Sequence, residues 1–541
     1  MTPSFGMGRH WPWLLPLLLL AALRLCWIDA YPLNSDEAQH AHVAWAWTQH
    51  GLMPYRDVFD NHGPLFGWLH SPLLALLDGR ADVLAWLRLA MQAWYALALF
   101  ATWLVGRRLY GPRVALAAVL VAGLFPHFFL VSGQFRTDDL WSAAWLAALA
   151  AVAGAPARAW RWFVAGLLAG AALAVSQKTL VLLVAALAAA ATVRLARPVR
   201  TPLPLRHGLA GIAGLLLVPL LFALWLAAHG ILGAAWYDIV GYNVDGAWKH
   251  DAAINLAAFL LLAAGLSAAA ARLVRRRGSQ PFDWEVFLAL QAGIYLSLIW
   301  FVWPLITAQD FLPAIPPLLL ACCGGIAGMP WLRGRDGLCR SLVVVAVAAE
   351  LLSLFSRSPP WRDRLAAQRA ELAQVLRYTD GSDTVMDAKG DAIFRMRPYY
   401  PVLESLARRR LKDGRMRDTI AAQLVSHRTM LVVLGRLPRA DESFVEGNYL
   451  PAGGNLWIAG RLLPAGNGSR VVVVVQPGEY TLTDGATAVS ASLDSGAPAD
   501  HWFLKQGVHH IAVASGHAFA LIWSKAWDRG WRPDMLPEKR P

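Results

Sequence analysis

The sequence predicts a multi-pass α-helical membrane protein that ends in a soluble outer domain. Three observations carry that reading. Residues of the AVILMFWYC set fill 57% of the 541 positions and charged residues only 16%, against about 25% charge in an average soluble chain. The mean hydropathy is +0.42. Long apolar runs recur through 1–356, whereas 357–541 alternate polar and apolar over short stretches. A disordered, fibrous or purely soluble protein is thereby excluded. The net charge of +13 is spread over both parts, which argues against a nucleic-acid partner.

Runs long enough to cross a hydrocarbon core, about 17–25 residues each, lie near 11–30, 83–105, 113–131, 140–154, 162–177, 179–194, 208–229, 252–271, 285–303, 311–330 and 340–355. They predict about 11 transmembrane helices. The first run is followed by Ile28-Asp29-Ala30-Tyr31-Pro32, a poor signal-peptidase site, so it reads as a retained helix. The stretch 162–194 is interrupted by Ser176-Gln177-Lys178 and reads as two short helices in a hairpin. Arg107, Arg108 and Arg113, then Arg158 and Arg161, then Arg194, Arg197, Arg200 and Arg206, then Arg272 and Arg275, then Arg333 and Arg335 fall in alternate loops. Those loops are therefore cytoplasmic, as is the N-terminus. The intervening loops carry acids: Asp36, Glu37, Asp57 and Asp60; Asp138 and Asp139; Asp238 and Asp245; Asp310. Only two lysines occur before residue 361, Lys178 and Lys249, and both fall on the acidic, outer side.

On that same side, 357–541 reads as a domain of two parts. An α/β part, 357–450, has an amphipathic stretch at 361–378, strands at 384–386 and 429–434, and helices at 399–412 and 417–426. A β-rich part, 451–541, has strands near 456–459, 471–475, 480–483, 489–493, 511–514 and 518–523. Turns such as Pro477-Gly478 and Asp484-Gly485 separate them in the manner of a small β-sandwich. No catalytic triad or phosphate loop is visible there, so its expected role is a lid or acceptor-docking module. None of the four cysteines lies beyond residue 339 and none has CxxC spacing, so neither a disulfide in the outer domain nor a cysteine metal site is expected.

The chemistry is sought in the outer loops. The first, 31–82, is too long for a connector and contains NSDEAQHAHVAWAWTQHGLMPYRDVFDNHGPLFGWLH. Its portion 38–48 has aromatic and small residues at helical spacing and reads as an amphipathic helix on the membrane surface. Asp36 and Glu37 are either first-turn acids of that helix or reactive carboxylates. Gln134-Phe135-Arg136-Thr137-Asp138-Asp139 is either a solvated turn or a second contribution to a site. Lys178 either snorkels to headgroups or serves as a site cation. Two acid pairs and a lone lysine reach one membrane surface, where unpartnered ionisable groups are costly.

Four ordered motifs then resemble a known family. Asp36-Glu37 followed by PYRDxFDxxxPLxxxL from Pro54 to Leu69, Arg136-x-Asp138, Ser176-Gln177-Lys178, and Phe311-Leu312-Pro313-x-x-Pro316 are similar to elements of GT-C-type integral membrane glycosyltransferases. Within that class they resemble the bacterial relatives of protein O-mannosyltransferases and the lipid A aminoarabinose transferases. The resemblance spans most of 11–330. It implies a GT-C-like fold and transfer of a sugar from a polyprenyl-phosphate-linked donor to an acceptor hydroxyl. The acceptor would be a lipid, glycan or protein at the outer face of the bacterial inner membrane, and membrane lipids would surround the site.

Carried over by position, the resemblance makes Asp36 the general base, Glu37 its neighbour and Asp138 the second-loop acid. Lys178 would bind the donor phosphate with help from Arg136. Arg56, Asp60, His62 and Asp139 would support the acceptor or the loops. The chain departs from the family in two places: His62-Gly63-Pro64-Leu65 stands for Lys-Pro-Pro-Leu, and Gln309-Asp310 stands for a basic-aromatic pair. This leaves Lys178, Arg136, and Lys249 with His250, to meet the phosphate. No cofactor is obligatory. A divalent cation, Mg or Mn, is an option if Asp36, Glu37, His40, Asp138 and Asp139 converge. The competing class is a transporter or lipid flippase, which would place its ionisable residues near the bilayer midplane rather than at one surface.

Overall fold

A computed structural model describes residues 11–196, 204–244, 282–303, 306–332, 334–466, 468–513 and 516–533. The apolar runs fold as helices: Trp11–Cys26, Val83–Tyr110, Pro112–Leu124 continued by Pro126–Val131, Thr137–Val152, Ala159–Val175, Thr179–Ala196, Leu205–Ala228, Trp284–Val302, Ile315–Ala327 and Asp336–Arg357. The expected crossing at 252–271, together with Lys249 and His250, lies outside the described residues. By length and apolarity, Val83–Tyr110, Leu205–Ala228, Trp284–Val302 and Asp336–Arg357 can each cross a bilayer, and shorter apolar helices accompany them. Leu205–Ala228 and Asp336–Arg357 bury only 11% and 6% of their most apolar stretch. Water would penalise such exposure and lipid does not. The chain is a multi-pass membrane protein.

The expected hairpin at 162–194 forms only at its turn. Ala159–Val175 packs instead along Leu205–Ala228, and Thr179–Ala196 packs on Trp284–Val302. Small residues explain the choice: Gly166, Gly170 and Gly214 bring the first two backbones together, as small-residue faces do in membranes. The turn is thereby splayed open, leaving Ser176–Lys178 at one end of the bundle.

The long loop at 31–82 also differs from expectation. Its helix, Ser35–Ala46, is buried from Glu37 to Ala46, so no face is left to lie on a membrane surface. A second helix, Leu65–Leu76, follows it and packs against it.

In the C-terminal domain, β1 (Val385–Met386) and β2 (Leu431–Val433) pair in parallel. β2 also pairs with β4 (Leu456–Leu463), which carries β3 (Tyr449–Pro451) beside it. β5 (Gly468–Val474), β6 (Gly478–Thr483), β7 (Ala491–Leu493), β8 (Pro498–Ala499), β9 (His501–Leu504), β10 (Gly507–Val513) and β11 (Phe519–Trp523) complete two sheets. One has seven strands, with β1-β2-β4-β11-β6-β9 in order and β3 on β4; the other runs β5-β10-β7-β8. The larger sheet crosses residue 450, so the α/β and β-rich parts share one sheet and one core. Helices Ala366–Tyr378, Ser405–Lys412, Ile420–Ser426 and Arg439–Asn448 flank it. The last of these, and strands β3, β8 and β9, are absent from the sequence reading.

Candidate active site

Asn34 caps helix Ser35–Ala46: its side chain accepts from the Asp36 amide at 3.0 Å, and the Asn34 amide donates to Glu37 Oε1 at 3.0 Å. This capping box fixes the first turn. Consecutive helical side chains point about 100° apart, so the two acids separate. Glu37 turns inward and is fully buried. Arg88 grips it through Nη2–Oε1 at 2.7 Å and Nε–Oε2 at 2.8 Å, and the Phe135 amide donates to it at 3.0 Å. Glu37 therefore ties the first loop to helix Val83–Tyr110 and to the second loop. Asp36 turns the other way, into a cavity, where it pairs with both Arg136 and Lys389.

Arg136 stands at the start of helix Thr137–Val152 and also donates from Nε to Asp138 at 3.1 Å. Asp138 is buried behind it rather than in the cavity wall. Asp139 is buried as well, and neither of its oxygens has a hydrogen-bond partner among the described residues. Lys178 pairs with Asp310 and stands 5.5 Å from the centre of the Trp303 ring. Asp310 is held in turn by the Thr307 amide at 2.8 Å. Gln309 donates to Gln134 at 3.0 Å. The Gln309-Asp310 departure thus supplies a counter-ion for Lys178 and a link to the second loop.

The cavity has a volume of about 250 Å³. Asp36, His62, Arg136, Lys178, Lys389, Glu404 and Arg409 line it, so four cations face two carboxylates. Gln39, Asn61, Asn243, Trp303 and Thr307 add neutral walls. Asp36 and Lys178 thus share one void. His62 reaches it because the Gly63 amide donates to the Val175 carbonyl at 3.0 Å. A Cβ at Gly63 would stand 2.1 Å from the Ala174 oxygen. A proline there has neither the amide nor the room, which explains the His-Gly departure in physical terms. Asp60 lies behind His62, its Oδ1 3.3 Å from Nδ1. Arg56 is exposed, pairs with Asp57 at 2.7 Å and does not line the cavity.

Lys389, Glu404 and Arg409 come from the C-terminal domain, and sequence reasoning did not single them out. The loop bearing Lys389 is seated on helix Ser35–Ala46: the Ile393 carbonyl lies 2.7 Å from His42 Nδ1. Gly390 adopts φ +92°, and a Cβ there would meet His42 Cβ at 2.8 Å. The available signal was Asp387-Ala-Lys389-Gly390-Asp391, a charged turn outside any strand or helix pattern. The C-terminal domain therefore forms part of the cavity wall.

The electrostatics follow from these pairs. Burial opposes ionisation of Asp36, but Arg136 and Lys389 outweigh it and hold the carboxyl well below the usual carboxylate range. Burial likewise opposes the charge on Lys178, and Asp310 with Asp138 overcomes it, raising the ammonium above its ordinary value. The cavity presents a fixed carboxylate beside fixed cations. Such a surface can receive an anion with several oxygens and set a base next to it.

The carboxylate-rich set considered for Mg or Mn does not converge, because Glu37 is held by Arg88 and Asp138 by Arg136. Among the described residues, those whose ligand atoms do approach one another are His40, Asp60 and His62. A larger apolar void of about 960 Å³, lined by Trp145, Leu149, Trp162, Leu215 and Phe287 beside Arg161 and Arg194, contains none of the candidate site residues.

Comparison with known proteins agrees with this architecture. Residues 61–225 match the model of the family described as dolichyl-phosphate-mannose-protein mannosyltransferase. The fold is similar to that of ArnT from Cupriavidus metallidurans in the apo state, with TM-score 0.58 and 14% identity over 84% of this chain and 98% of that one. Weaker likenesses extend to ArnT from the same organism bound to undecaprenyl phosphate (TM-score 0.46, 15% identity, 69% and 73% covered). They also reach the Archaeoglobus fulgidus oligosaccharyltransferase tethered with an acceptor peptide (TM-score 0.46, 13% identity, 74% and 60% covered). No curated protein sequence matches. The chain has the GT-C-type fold of membrane glycosyltransferases, resembling the mannosyltransferase and ArnT relatives.

Proposed function

We propose that this protein is a glycosyltransferase moving a sugar from a polyprenyl-phosphate-linked donor to an acceptor hydroxyl at the non-cytoplasmic face of a bacterial inner membrane. The acceptor is a lipid, glycan or protein of the cell envelope. The observation that carries the reading is the Asp36 carboxylate sharing one small cavity with Arg136, Lys178 and Lys389. The lining carries an excess of two positive charges, which suits a phosphate-bearing donor.

In the free protein Asp36 is neutralised by its two cations and is a weak base. Donor phosphate oxygens compete for the same guanidinium and ammonium. As those pairs exchange partners, the Asp36 carboxylate recovers basicity where the acceptor hydroxyl arrives. The hydroxyl oxygen attacks the anomeric carbon and its proton passes to Asp36, a step that typically contributes 10²–10⁴-fold. The anomeric carbon–phosphate oxygen bond breaks on the opposite face, giving inversion. The lipid phosphate leaves as an anion held by Lys178, Arg136 and Lys389, cations already in place before charge develops. Glu37 acts by position, fixing the turn that aims Asp36. Residues 1–356 form the membrane transferase unit and 357–541 the extracytoplasmic unit that completes its cavity.

The test is a reconstituted transfer assay with polyprenyl-phosphate sugars, paired with mass profiling of envelope lipids, glycans and proteins from a deletion strain. A single sugar-sized mass difference is expected, and Lys178→Ala should raise the donor KM at least about tenfold, one charge-assisted contact being worth about 1.5–3 kcal/mol. No mass difference and no transfer from any polyprenyl-phosphate sugar would refute the reading.

A further inference from the structure

We infer that His40, Asp60 and His62 form a binding site for a zinc-class divalent cation at the edge of the cavity, with two imidazoles and one carboxylate as ligands. One ligand atom from each residue lies within 4.8 Å of the others. Ligands on a tetrahedral zinc at about 2.0–2.1 Å stand about 3.4 Å apart, so side-chain rotation of about an ångström closes the set. The His40 and His62 rings already meet edge to face, 4.7 Å between centres. Asp60 Oδ1 is 3.3 Å from His62 Nδ1.

A second observation points to a ligand. His40 is 1% exposed, and its Nε2 is buried with no hydrogen-bond partner among the described residues. Leaving such an atom unsatisfied carries the full cost of stripping it from water, and a metal would satisfy it. Asp60 is 4% exposed, and a bound cation would offset the cost of burying its carboxylate. Arg136 and Lys389 would repel a cation, but both are engaged by Asp36.

Nitrogen-rich ligation selects zinc-like ions over magnesium. His62 also lines the cavity, so three protein ligands leave a fourth position toward the substrate space. The metal would fix the wall at Asp60–Gly63 against helix Ser35–Ala46. The inference does not rest on the transferase reading, because its readout is binding.

The experiment uses the full chain, purified in detergent with a tag free of histidine, stripped with chelator and titrated calorimetrically with zinc chloride or magnesium chloride. One zinc per chain with sub-micromolar affinity is expected, with no saturable magnesium binding. His40→Ala and His62→Asn should each weaken zinc at least about 100-fold while circular dichroism stays unchanged. Asp60→Asn serves as a third variant should either histidine variant fail to fold. Absent zinc saturation, or equal zinc affinity in the variants, would overturn the site; the latter would place the ion on the free thiols or other histidines.

Discussion

Neutralising Asp36 separates its chemical role from its structural one. In Asp36→Asn, Arg136 keeps Asp138 as a partner. Lys389 loses the anion that is its sole hydrogen-bond partner among the described residues, and its side chain is only 6% exposed. Asparagine still offers an oxygen, so the stability cost should be about 1–3 kcal/mol. Loss of the base should lower turnover 10²–10⁴-fold, or about 3–5 kcal/mol of barrier at 1.36 kcal/mol per factor of ten. Thermal melting and transfer rates on the same preparation read both quantities. Adding Lys389→Met should restore most of the melting temperature, because the stranded ammonium is gone, but none of the turnover. Turnover above about a tenth of the parent in the single variant would remove Asp36 as the base. A double variant less stable than the single one would contradict the pairing.

Other outcomes follow from neighbouring groups. Glu37→Met should cost about 3–5 kcal/mol, since it strands a fully buried Arg88. Glu37→Met with Arg88→Met should recover much of that loss in a melt, and unchanged stability in the single variant would refute the buried tie. Gly390→Ala places an L-residue at φ +92° with its Cβ against His42; the backbone term alone is about 1–2 kcal/mol. It should lower transfer more than it lowers the melting temperature of the bundle. Asp238, which accepts from the Tyr400 hydroxyl of the C-terminal domain, has its carboxyl pushed up by burial to about 7. A raised acid stabilises the folded state below its unfolded value and loses that contribution as pH rises toward the folded one. Melting temperature should therefore fall between about pH 4 and 7, and Asp238→Asn should flatten the slope; an unchanged slope would exclude Asp238 as its source.

The membrane helices were legible because apolar length is a one-dimensional property, and each described run folds where its hydropathy places it. The gathering of Asp36, Arg136 and Lys178 was legible as loops reaching one side. The burial of helix Ser35–Ala46 was not, because part of its cover, the loop at 390–393 against His42, lies far away in sequence. Nor was the divergence of Asp36 from Glu37, since the capping box declares a helix start but not which acid finds Arg88. The continuous sheet across residue 450 depends on β2 pairing with β4, a long-range choice with no local signature. Helix Arg439–Asn448 buries little beyond Asp441 and Val445, too few apolar positions to announce a period.

The seating of Lys389 beside Asp36 has a consequence for biogenesis. The bundle is translated first, and Lys389 stands 353 positions after Asp36, the carboxylate it pairs with. The Asp36–Lys389 pair therefore forms only once the C-terminal portion has folded against the bundle.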